Sequence, residues 1–400
     1  MLKNLNKCDL TPESEIKSRI NSLQKRMTEN NIDFAVILQN VDMFYFTGTL
    51  QKGALFVPAQ GEPLLFIEKT MERALYETPL NIISIKKDKD VKAFLEDKNV
   101  LKGRGAMEFD VLPVSVFERW KKILEFENFV DISFLIKDVR LIKSPFEIEQ
   151  IRKSGEIITH VFEWAKKVVK EDMTELEIGA VLESRGRIFG HQGFLRMRGL
   201  NQEMMNMYIT HGYSGTIQSH ADVPISGAGV THAIAQGPST NKIKKGVPVV
   251  IDYGGGYNGY ITDETRPYVI GKMKDIFQKG YETAKDIIED TTEFAREGVN
   301  GTEVFMRAAD KVKKAKLEDY FMGYGPGKVG FIGHGIGLEI NELPVITPRH
   351  SIVLKEGMVF AFEPKFIIPG EGAIGIEVDF VVRKDRLERV TNFPIDIVYL

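Results

Sequence analysis

The sequence predicts two domains, an α/β domain over residues 1–143 and an α+β domain over residues 144–400. Strand-like and helical segments alternate through the first third, as in a sheet covered by helices. A strong helix-start signature at Ser144 opens a new unit. Beyond about residue 204, strands and glycine-rich turns flank two helical stretches. A chain of 400 residues exceeds the usual domain length of roughly 100–200, and 43% hydrophobic composition supplies a sizeable core.

The first helix is written by Ile16, Ile20, Leu23 and Met27, which fall on one face. The apolar run "DFAVIL" then reads as a buried strand, followed by the strand-like "ALFV", "PLLFIE" and "NIISI" and the helical "VSVFERWKKIL". The lysine-rich "KKDKDVKAFLEDKN" reads as a solvated surface. In "KSPFEIEQIRKSGEIITHVF", Ser144 caps, Pro145 suits the first helical position and Glu147 completes a capping box. Ile148, Ile151, Ile158, Val161, Phe162, Ala165 and Val168 give that helix one buried face, and Thr174 with Glu177 opens the next. Strands and turns over 204–270, helices near 274–298 and 302–317, and strands from about 331 complete the second domain.

The 53 basic and 56 acidic residues leave a formal charge of −3, which argues against nucleic acid or an anionic membrane as the main partner and leaves small molecules or peptides. A single cysteine, Cys8, supports neither an internal disulfide nor a thiolate metal site. No signal-peptide pattern and no long apolar span is present, so a cytoplasmic location is expected.

The stretch "IDYGGGYNGYITDETR" carries a carboxylate in each arm of a hairpin pattern. Symmetrical pairing around Tyr257-Asn258 puts Asp252 opposite Asp263, with Cβ atoms about 4.5–5.5 Å apart. The turn-forming Asn258-Gly259 lies one place off that register, which leaves a bulged loop equally open. Facing carboxylates repel unless a proton or cation lies between them. The run "VFAFEPKFIIPGEGAIGIEVDF" repeats the device with Glu363 and Glu377 around Pro369-Gly370, and "GFIGHGIGLEINELP" sets His334 among glycines. Two divalent ions about 3.5–4 Å apart would roughly neutralise four such carboxylates. Each residue alone has a plainer reading: a turn aspartate, a packed histidine, a Glu363 paired with a lysine. The ordered set favours metal.

Taken together, "DYGGGYNGYITDETR", "GHGIGLE", "FAFEP" and "GIGIEVD" resemble the pita-bread metallopeptidases, the group of aminopeptidase P, prolidase and methionine aminopeptidase. "VRLIKSPFEIEQIR" looks like the junction between their creatinase-like N-terminal domain and their catalytic domain. The resemblance implies a creatinase-like α/β domain, a pita-bread catalytic domain and an Xaa-Pro dipeptidase-like activity. It implies Asp252, Asp263, His334, Glu363 and Glu377 as ligands of two divalent ions (Mn²⁺, Co²⁺ or Zn²⁺), with Asp263, Glu377 and a hydroxide bridging. Glu363 would be the proton shuttle, Thr265 would orient a ligand from behind, and a homodimer would be common.

The family's substrate-contacting histidines correspond to Ala235, Gly330 and Asn341, and its arginine before the last glutamate to Gly375. Asn341 or Gln236 could replace an imidazole as hydrogen-bonding groups, and His220 or His232 could fold into the pocket. The run "FLRMRGLNQEMMNMY" reads as a packed or interface segment rather than a substrate clamp. "GPGKVG" fits a dinucleotide fingerprint only formally, lacking the preceding strand and following helix. Three functions stay open: a dinuclear peptidase, a metal-dependent hydrolase or lyase of a small non-peptide substrate, and a non-catalytic binding module.

Overall fold

The structure, a computed structural model, describes residues 9–400, so Cys8 lies outside the described residues. The chain divides into two compact units at Arg140/Leu141. This lies slightly ahead of the expected 143/144, because Lys143 belongs to the second unit: its backbone N–H donates to Gly357 O (2.8 Å) and its ammonium to Glu342 Oε2 (2.9 Å).

The first unit is built on a six-stranded mixed sheet. Phe34–Ile37 lies inside it, antiparallel to Gly53–Pro58 and parallel to Gly105–Met107. A continuous apolar run suits a strand covered on both faces, and Phe34, Phe56, Phe66 and Trp120 fill the core beside it. Helices Glu13–Glu29 and Val114–Leu124 form where the apolar spacing predicts them.

In the second unit the helix Pro145–Val168 opens with the predicted capping box, Glu147 N donating to Ser144 Oγ (3.2 Å) and Ser144 N to Glu147 Oε2 (3.1 Å). Its buried face, with Ile158, Val161 and Phe162, packs on Ile251, Tyr253 and Tyr268 of the hairpin Val249–Tyr257/Tyr260–Val269. Helix Glu175–Ile188, opened by the Thr174–Glu177 box, passes so close that a Cβ on Gly186 would lie 2.0 Å from Tyr253 Oη. A second core joins helices Asp275–Phe294 and Gly301–Lys314 to Phe360, Phe362 and Phe380 of a five-stranded sheet. This sheet meets the hairpin through an isolated antiparallel bridge between Thr265 and Glu377. Residues 217–248 carry no named strand among the described residues, since left-handed glycines at 227, 229, 237 and 246 repeatedly turn the chain.

The hairpin corrects one expectation. Asp252 pairs with Thr265 and Asp263 with Gly254, so the two aspartates are diagonal rather than opposed. The turn residues are Asn258 and Gly259, both at positive φ (50° and 86°), the backbone that a two-residue type I′ turn demands. Turn chemistry therefore set the register, not symmetry about the aspartates. The offset is two residues, so both carboxylates still share one face. The second pair of arms keeps its expected register, Lys365 facing Gly375 and Phe362 facing Val378. Glu363 and Glu377 sit in the break between those two ladders.

Candidate metal centre

The hairpin delivers Asp252 and Asp263 to a common cluster, the strand Gly333–Gly335 delivers His334, and the break between ladders delivers Glu363 and Glu377. The four carboxylates are all buried. His334 Nε2 lies 3.8 Å from Asp263 Oδ2, 4.0 Å from Glu363 Oε1 and 3.7 Å from Glu377 Oε1. These separations are too long for hydrogen bonds. One ligand atom from each of Asp263, His334 and Glu377 lies within 4.8 Å of the other two. Asp263 Oδ1 and Glu377 Oε1 are buried without a hydrogen-bond partner among the described residues, a costly state that a divalent ion would relieve. The donor set of two carboxylates and one imidazole fits such an ion.

Behind these groups lies a supporting layer. Thr265 Oγ1 donates to Glu377 Oε2 (2.7 Å), and Asp379 Oδ2 accepts the backbone N–H of Asp263 (2.9 Å). Sequence reasoning identified Thr265 and missed Asp379. Burial, with the charges of Glu264 and Glu377, holds the Asp379 carboxyl well above the usual range, against the pull of that N–H and of Arg266.

The largest departure from expectation is Lys365. It is only 3% exposed, and its ammonium donates to Asp252 Oδ2 (2.8 Å), Glu363 Oε2 (2.8 Å) and Glu377 Oε2 (2.7 Å). The plainer reading of Glu363, a lysine partner, is therefore realised together with the cluster. The signal was available: residues two apart on a strand share a face, and a lysine inside an apolar strand needs anionic partners.

Electrostatics follow from these positions. Burial raises Asp263 well above its ordinary value, with the Glu377 and Asp252 charges adding and Lys365 opposing. Burial pushes Glu363 up to about 7 against the attraction of Lys365, while Glu377 adds to the rise. For Glu377 burial is overridden by Lys365 and His334, which bring it down to about 2. Opposite charges nearby also keep Lys365 above its ordinary range despite burial.

The cavity above the cluster has a volume of about 210 Å³. Its walls include Val223, Ile225, Phe331 and Val345, with Met197 and Met204 from the segment expected to be packed or an interface. That segment divides: Met207 is packed in the core under the hairpin, while Met197, Gln202, Met204 and Tyr208 line the cavity. Asn341 explains how, since its Nδ2 donates to Arg198 O and its Oδ1 accepts Arg198 N–H, both at 2.9 Å. Asn341 is thus at the cavity as expected, with its amide clamping this wall. Gln236 is buried in an adjoining smaller cavity, accepting from Tyr208 Oη (2.8 Å) and donating to Glu203 O (3.0 Å). His220 lines that smaller cavity, and His232 lies exposed outside both. Ala235 is exposed, and Gly330 is covered by the Arg349 guanidinium.

Residues 149–384 match the model of metallopeptidase family M24, and residues 19–142 that of the creatinase/prolidase N-terminal domain. The Xaa-Pro dipeptidase of Pyrococcus furiosus is 30% identical over 379 residues, spanning 94% of this chain and 98% of that protein. The prolidase structure from Pyrococcus horikoshii OT3 superposes with a TM-score of 0.79 at 25% identity, covering 95% of this chain and 100% of that one. An Xaa-Pro dipeptidase structure from Bacillus anthracis shares the fold, with a TM-score of 0.82 at 23% identity over 96% of this chain and 100% of its own. With these matches over nearly its whole length and a carboxylate–histidine cluster at the meeting of its sheets, the chain belongs to metallopeptidase family M24 and has the pita-bread fold.

Proposed function

We propose that this metal-dependent hydrolase cleaves small peptides as an Xaa-Pro dipeptidase-type enzyme. The observation that carries the reading is the convergence of Asp263, His334 and Glu377, with Glu363 and Asp252 beside them; all but the fully buried Glu377 line one apolar-walled cavity. A bound divalent ion (Mn²⁺, Co²⁺ or Zn²⁺) supplies Lewis-acid polarisation of a carbonyl and acidifies water. Glu363, buried at the cavity beside His334 and Lys365, is the carboxylate placed to take up and pass on a proton. Thr265 and Asp379 hold Glu377 and Asp263 in place. Phe331, Val345 and Ile225 offer apolar surface to a compact ring such as proline.

The test is hydrolysis of Xaa-Pro dipeptides by Mn²⁺-loaded protein, with other dipeptides and tripeptides in parallel. Proline-dependent turnover is expected, and a metal-loaded protein inert on every peptide refutes the reading. One feature favours a second reading, a small non-peptide substrate. His334 is the only imidazole among the residues lining the main cavity, and Asn341 is committed to Arg198. A metal-dependent product in a metabolite screen would support it. Among the described residues no helix is long and apolar enough to cross a membrane. A cytoplasmic homodimer belongs to the same proposal, and light scattering on the purified chain decides the oligomeric part.

A further inference from the structure

The expectation of two ions meets a steric and electrostatic obstacle. Lys365 Nζ lies within 2.8 Å of an oxygen from each of Asp252, Glu363 and Glu377, so three of the four carboxylates already share one cation. A divalent ion drawing on Asp252 would have to displace an ammonium buried among its partners, and breaking such a pairing leaves a buried charge uncompensated. Of the oxygens left without a hydrogen-bond partner among the described residues, Asp263 Oδ1 and Glu377 Oε1, the latter lies 3.7 Å from His334 Nε2, and the other oxygen of Asp263, Oδ2, lies 3.8 Å from the same nitrogen.

The opposite strand makes room for this arrangement. Gly375 pairs directly with Lys365, and a Cβ there would lie 2.6 Å from Lys365 Cγ. The glycine, where the sequence resemblance led to an arginine, is what lets the lysine stem fold inward.

We propose that the Lys365 ammonium takes the place of one ion, so that the centre binds a single divalent cation on Asp263, His334 and Glu377. This rests on the reading of the cluster as a metal centre, and it deepens that reading by fixing the cation inventory. Lys365 is here a positioning residue: it holds Asp252, Glu363 and Glu377 with a fixed charge that cannot be removed by chelators.

The experiment counts ions. The full chain is stripped with chelator, reloaded with Mn²⁺ and freed of unbound metal. Manganese per chain is measured by elemental analysis and calorimetric titration, and the electron paramagnetic resonance spectrum is recorded. Wild type should saturate at one ion with an uncoupled manganese spectrum, whereas Lys365→Ala should take two and show exchange coupling. Two ions in wild type, no ion in wild type, or one ion in both proteins overturns the proposal. If Lys365→Ala does not fold, Lys365→Ser provides the same comparison. Peptide hydrolysis is a separate readout: a one-ion chain inert on peptides fails as a peptidase and leaves this inference standing, while a two-ion active dipeptidase does the reverse.

Discussion

Thr265 and Glu377 are joined twice, by a backbone bridge between two sheets and by the 2.7 Å hydrogen bond from Thr265 Oγ1 to Glu377 Oε2. The hydroxyl therefore fixes the orientation of a carboxylate that also faces His334 and Lys365. Thr265→Val keeps the shape and removes the donor. It should weaken Mn²⁺ binding by roughly 10–100-fold, the usual effect of losing a group that orients a ligand, while Thr265→Ser retains most of the affinity. Competition with a chromophoric chelator measures both.

Chelator treatment should abolish turnover, and Mn²⁺ should restore it. Asp263→Asn should prevent restoration and leave the fold intact, because Asp263 Oδ1 has no protein partner to lose among the described residues. Elemental analysis and far-UV circular dichroism separate loss of metal from loss of structure.

Asn341→Ala removes both hydrogen bonds to the Arg198 backbone and so frees the wall carrying Met197 and Met204. Two such bonds are worth about 1–3 kcal/mol. That loss should lower the unfolding free energy by about 1–3 kcal/mol, and the loosened wall should raise KM by about tenfold with kcat changed little. Steady-state kinetics with a thermal melt tests this.

Gly186→Ala sets two effects against each other. Alanine improves helix propensity by about 1 kcal/mol, but its Cβ would lie 2.0 Å from Tyr253 Oη in a fully buried site, where overpacking costs about 1–3 kcal/mol. Overpacking should win, lowering urea-unfolding stability by up to about 2 kcal/mol.

His211 gives a pH signature away from the metal centre. Burial lowers its pKa to about 4, and Lys244 N–H donates to its Nε2 (2.9 Å), which requires the neutral ring. The folded value lies below the unfolded value of about 6.5, so the stability it contributes is complete above about 6.5 and is lost as pH falls toward 4. The loss is on the order of 3 kcal/mol. Unfolding midpoints from pH 7.5 to 4 should show that slope, and His211→Gln should flatten it.

The amount legible in the sequence followed how local each signal was. Both capping boxes and the helices at 13, 114 and 145 were readable because spacing and caps act within a few residues. The five charged cluster residues were readable as an ordered set, while their mutual geometry depended on an Asn258-Gly259 turn that overruled the symmetric register. Lys365 was overlooked because a lysine beside a glutamate normally reads as surface, although its strand partner Gly375 and apolar neighbours argued otherwise. The cavity wall near Met197 has no periodicity to read. Its place is set by Asn341, which holds Arg198 from 143 residues away in sequence.

The two-residue turn at Asn258-Gly259 has an evolutionary consequence. It is pinned from outside, Asn258 Nδ2 donating to Gln150 Oε1 (3.1 Å) and Gly259 N–H to Gln192 Oε1 (2.9 Å). Surface loops ordinarily absorb insertions and deletions, but here losing one residue would reverse the alternation of the second arm. Asp263 would turn toward the helix side, and its neighbour Glu264, which now pairs with Arg266, would turn into the cavity. Descendants of this sequence can therefore vary the site by substitution, while the length of this turn is held constant by the parity of a β-strand.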